Sequence, residues 1–145
     1  MYTEQVTQSA ALAAAIAPQT LNNANVKTGS VDMSNSKRAF FVVEVGAVTG
    51  GGSLTLQLIE DTAANLGTAT NLAGNNVSQV TTTANKQITF EARNDQMTKR
   101  YLGLKITETC SQNVLVAAVA IGMEADRKPN SANNDATVQT QNIVS

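Results

Sequence analysis

The strongest constraint on this chain is the alternation at residues 53–58, where Leu54, Leu56 and Leu58 are interleaved with Ser53, Thr55 and Gln57. Successive side chains of an extended strand point to opposite faces, so a period of two gives one apolar and one polar side. A helix would scatter the same leucines around its circumference. The pattern recurs at Ile88, Phe90 and Ala92, and again at Leu102, Leu104 and Ile106, with Lys86, Thr89, Glu91, Lys105 and Thr107 as the outward partners. Each of these segments predicts a strand with one buried face.

Two further segments are apolar at both parities. Residues 38–48 carry Phe40, Phe41, Val42, Val43 and Val45, and residues 114–123 read VLVAAVAIGM. Such runs predict central strands covered on both sides. Weaker strand candidates are residues 19–23, 26–33 and 77–82. Turn signals separate the strands at Thr28-Gly29, residues 50–52, Gly74-Asn75-Asn76, Ala84-Asn85, Asn94-Asp95 and Ser111-Gln112-Asn113. About eight short strands with no helical crossover between them predict an all-β, antiparallel β-sandwich, jelly-roll-like, with two four-stranded sheets.

A chain of 145 residues with 42% hydrophobic content can bury one core. The expected organisation is therefore an N-terminal arm at residues 1–18, a sandwich domain at 19–125 and a tail at 126–145. In the arm, residues 10–17 (AALAAAIA) predict a short helix that Thr3 caps and Pro18 stops, because alanine is the best helix former. A helix this short needs something to pack on. The tail is rich in asparagine, serine, threonine and glutamine, a composition that stays disordered on its own.

The glycine-rich stretch VGAVTGGGSLTLQL at residues 45–58 approaches the spacing of a phosphate-binding loop, with Gly46 and Gly51 five apart and Ser53 close behind. Gly52 stands where that loop needs a lysine, and a strand follows where it needs a helix N-terminus. A hairpin turn between two strands, with the glycines supplying positive φ, accounts for every residue.

What is missing narrows the chemistry. Without histidine, a Ser-His-Asp or Cys-His constellation and most zinc sites are excluded. The one cysteine, Cys110, forms no internal disulfide framework and reads as an unreactive, semi-exposed thiol in the turn between two strands. Glu60, Asp61, Glu124, Asp126 and Asp135 lack the alternating ligand spacing of a calcium loop. No metal, cofactor or catalytic residue is expected, and the chain does not read as an enzyme. Ten basic and eleven acidic residues give a net charge of −1. The basic pairs Lys37-Arg38, Lys99-Arg100 and Arg127-Lys128 form no clustered face, so no nucleic-acid partner is expected. Residues 10–17 are too short for a membrane span of ~20 residues, and Glu4 precedes them where a secretory signal has basic residues. Asn76-Val77-Ser78 matches the glycosylation acceptor pattern, which carries no meaning without secretion. Tyr2 and Tyr101 are too few for a stacking platform or a sugar shelf.

Residues 31–61 (VDMSNSKRAFFVVEVGAVTGGGSLTLQLIED), with RYLGLKIT at 100–107 and VAAVAIG at 116–122, resemble small proteins of tailed bacteriophages encoded near the major capsid protein. The resemblance spans roughly residues 19–124 and rests on strand patterns such as the V-D-M step and the strand ending in VGAVT. It implies a capsid decoration or cement protein on the outside of a phage head, stabilising contacts between major capsid protein subunits. The expected localisation is the virion, after synthesis in the host cytoplasm, and the expected self-assembly is a homotrimer. A head-fibre, tail or receptor-binding module with a host glycan as ligand is the alternative. Capsid and subunit contacts are expected at Val6, Leu12 and Ile16 in the arm, at Gly50, Gly51 and Gly52 in the loop, and at Val138 and Ile143 in the tail.

Overall fold

The structure is a computed structural model that describes residues 6–48, 52–74, 77–80, 85–125, 134–136 and 138. Gly50, Gly51 and Ile143 lie outside the described residues, as do most of the tail and parts of the turns at residues 75–76 and 81–84. Among the described residues the elements are a one-turn helix α1 (Val6–Ser9), then β1 (Ala10–Leu21), β2 (Asn25–Lys27), β3 (Val31–Asp32), β4 (Ser36–Val45), β5 (Leu54–Asp61), β6 (Thr70–Asn71), β7 (Val77–Val80), β8 (Lys86–Arg93), β9 (Tyr101–Glu108) and β10 (Val114–Ala125). A short 3-10 turn at Asn94–Gln96 joins β8 to β9.

Every pairing is antiparallel, as the alternation predicts. The first sheet is four-stranded in the order β1-β10-β4-β8. The second has six strands, but β2 and β3 flank β9 on one side while β6 and β7 flank β5 on the other. Its six strands therefore fill four positions, in the order β2/β3, β9, β5, β6/β7. The chain alternates between the sheets, and the N-terminal strand closes against the C-terminal one, which is jelly-roll connectivity.

Between the sheets lies a single core. Phe41, Val43 and Val45 of β4, Phe90 and Ala92 of β8, and Val116, Ala118 and Ala120 of β10 point inward from the first sheet. Leu54, Leu56 and Leu58 of β5 meet them together with Leu102, Leu104 and Ile106 of β9. Each fully buried leucine of this kind contributes ~1.5–3 kcal/mol relative to an exposed one.

Residues 10–17 form a strand where their alanine content predicts a helix. Ala11, Ala14 and Ile16 are buried on the inner face, and β1 pairs along its length with β10. Helix propensity is worth only tenths of a kcal/mol per residue, and a free sheet edge beside an open core outweighs it. Pro18 does not end the element; it lies at the register shift between Ile16 and Gln19, where its missing N–H interrupts no ladder bond. Residues 10–18 of the expected arm are thus part of the sandwich.

The segment 46–53 does not form a hairpin either. β4 belongs to the first sheet and β5 to the second, so the glycine-rich loop carries the chain across the sandwich. The half-buried Gly52 packs so closely against the chain's own backbone at Cys110 that a Cβ there would collide with it, and it would lie 2.7 Å from the Thr109 carbonyl. Cys110 is fully buried, not semi-exposed, and burial together with the neighbouring Glu108 pushes its thiol pKa up.

Candidate interaction surface

The outer faces of the two sheets are built differently. On the second sheet, residues 62–68 fold back over the surface. Leu66 is buried although φ is +53°, and its side chain sits on Gly103, where any Cβ would meet it. Ile59, buried on the same outer side of β5, lies beside them. The Lys27 ammonium donates to the Leu66 carbonyl at 2.8 Å and fixes the loop from the β2 side.

One carboxylate anchors this cover, and others pin neighbouring turns. Asp61 is buried and accepts from the backbone N–H of Thr62 (2.7 Å), Ala63 (3.2 Å) and Thr68 (2.8 Å), and from the Thr68 hydroxyl. Burial alone would raise its pKa, but these donors outweigh it and hold the carboxyl below its ordinary value. Glu60 is held down in the same way, against burial, by the Thr98 hydroxyl and the Thr98 and Lys99 amides. Glu108 accepts from the Asn23 and Cys110 amides and so ties the β1–β2 turn to the β9–β10 turn. Asp32 receives both Nε and Nη2 of Arg100, at 2.9 and 2.7 Å, along with the Ser34 amide and hydroxyl. Chiefly because of the Arg100 bonds, its pKa falls to about 2. The V-D-M step of the sequence is therefore an Asp-anchored turn between β3 and β4.

On the first sheet the middle of the outward face is apolar. Cross-strand register places Leu12, Ile121 and Phe40 in one row, and Ala15, Val119 and Val42 in the next, reading from β1 through β10 to β4. On β8 the rows turn polar, at Glu91 and Thr89. Leu115 is 59% exposed, Leu12 44% and Val119 39%. Among the described residues, the β10 parity read as covered is therefore uncovered. Arg38, within 3.5 Å of Glu91 and 3.3 Å of Glu124, forms a charged rim.

One end of this face opens into a groove of about 610 Å³ between Pro18, Glu44, Lys86, Gln87 and Leu115. Gln87 Nε2 donates to the Glu44 carboxylate at 3.1 Å across it. Among the described residues, no cluster of three or more histidine, cysteine or acidic side chains is arranged to hold a metal, and no helix is long and apolar enough to cross a membrane.

The expected contact residues scatter. Val6 is 76% exposed at the start of α1, and Leu12 lies on the open face. Ile16 is buried in the chain's own core. Gly52 is approached by its own backbone, and Val138 is half-buried in a turn with Asp135. The outward apolar residues not singled out as contacts from the sequence are Leu115 and Val119, with Ile121, Phe40 and Val42 in the adjoining rows. Their signal was present: a two-layer sandwich buries one parity of each strand, so a second apolar parity needs a separate cover.

No known protein-family model and no curated protein matches this chain. Among solved structures it is similar to the crystal structure of the Yersinia pseudotuberculosis-derived mitogen, at 12% identity and a TM-score of 0.40, over 86% of this chain and 93% of that one.

Proposed function

We propose that this chain is a structural, non-catalytic protein of a phage particle that decorates the outside of the head, stabilises contacts between major capsid protein subunits and self-associates as a homotrimer. The observation that carries the reading is the outer face of the first sheet, where Leu12, Leu115 and Val119 stand exposed on a rigid jelly roll. A contiguous apolar face on a well-anchored scaffold suits an assembly role, and the strand-pattern resemblance to virion proteins narrows the assembly to a phage head. Sedimentation with purified heads, with tails as the comparison, tests it. Saturable co-sedimentation with heads alone is the expected result, and binding to neither or to tails only contradicts it. Removing residues 1–18 would take part of β1 with them, so the N-terminal contribution is read from a deletion of residues 1–9, which leaves β1 whole.

A second reading, a receptor- or glycan-binding module, is favoured by the groove, whose volume suits a small ligand and whose Glu44, Lys86 and Gln87 converge on it. A glycan-binding screen in which Gln87→Ala abolishes a specific hit would favour that reading over the first.

A further inference from the structure

We infer that a second copy of this chain covers the outer face of the first sheet. The inference rests on the self-assembling, structural role proposed above and assigns that assembly to one surface. From Ala10 to Leu21 and from Val114 to Met123 the two longest strands carry no charged side chain, so a nucleic acid or a charged lipid surface would find nothing there to pair with. The rim carries both signs, with Arg38 beside Glu91 and Glu124, and the chain has a net charge of −1. Copies of a nearly neutral chain do not repel one another, and a rim of mixed sign can meet the rim of another copy with opposite charges facing.

Size points the same way. The face of a four-stranded sheet with strands of 12, 12, 10 and 8 residues measures about 35 Å by 19 Å, or roughly 670 Å². Each partner of a standard stable interface contributes ~800 Å². The edge of the sheet is less available than its face. At the free edge of β1 the Leu12 amide donates to Asn134 Oδ1 at 3.0 Å, and its carbonyl accepts from the Asp135 amide. An incoming strand cannot add at Leu12 without displacing the C-terminal segment, so contact through the side chains of the face is favoured.

Light scattering on the size-separated chain at micromolar concentration tests this. The wild-type protein is expected at two or more times 15.2 kDa. Leu115→Asp with Val119→Asp should return it to 15.2 kDa with an unchanged far-ultraviolet spectrum. The milder Leu115→Gln, which keeps the fold in question to a minimum, should weaken association at least tenfold. Lys105→Glu, on the outer side of the second sheet, should leave the mass unaltered. A monomeric wild-type chain, an undiminished mass in the face variants, or equal dissociation by Lys105→Glu would overturn the inference. Because mass is read without heads, a failure here is distinguishable from a failure to decorate them.

Discussion

The two outer faces of this sandwich solve the same problem in different ways. The second sheet is roofed by the chain itself, with Leu66 seated on Gly103 beside Ile59 and the loop pinned by Asp61 and Lys27. The first sheet presents Leu12, Leu115 and Val119 with nothing among the described residues burying them. An apolar patch outside the core needs a cover, and a self-made cover needs anchors for its backbone. Among the described residues, the carboxylates with clearly lowered pKa values, Asp32, Glu60 and Asp61, all belong to strands of the second sheet. The side that closes itself is the side that carries the buried acids.

Breaking the cover should cost most. Leu66→Ala removes a buried side chain over a site that cannot collapse, and is expected to lower stability by about 3 kcal/mol in a denaturant titration. Gly103→Val drives a side chain into Leu66 from below and should cost about 1–3 kcal/mol, with amide protection lost first at residues 62–68.

Acid sharpens the same contrast. Each of the three carboxyls has a folded-state pKa below its unfolded value, so the stability it contributes is present above the ordinary carboxylate range and is lost as pH falls through the folded value. For Asp32 the window runs from 3.8 down to about 2. The melting temperature is therefore expected to be flat near neutrality and to fall below about pH 4, with exchange rising in the loops of the second sheet before the strands of the first. Asp32→Asn should remove part of that acid slope. At the small end, Leu115→Ala in dilute solution should change stability by less than about 0.5 kcal/mol, because the side chain is 59% exposed in the single chain.

Much of the inner layer was legible beforehand. The period-two leucines of β5 and β9 and the Phe90 and Ala92 positions of β8 all point inward as their alternation predicts. What escaped was tertiary. Residues 10–17 read as helix because local propensity says nothing of the open edge of β10 beside them. The glycine-rich segment read as a hairpin because sequence adjacency does not reveal that β4 and β5 lie in different sheets. Leu66 gave no signal, since its burial depends on a Gly103 that is distant in sequence and on a positive φ that leucine rarely adopts. The apolar parity of β10 was visible, but its meaning depends on whether a cover comes from within the chain or from outside.

Melting temperature against concentration shows most directly whether that cover comes from a second copy. If a second copy covers the first sheet, a hundredfold rise in protein concentration should raise the wild-type midpoint by about 4 °C and leave the Leu115→Asp, Val119→Asp double variant unmoved. A wild-type midpoint that stays constant over the same range would contradict it.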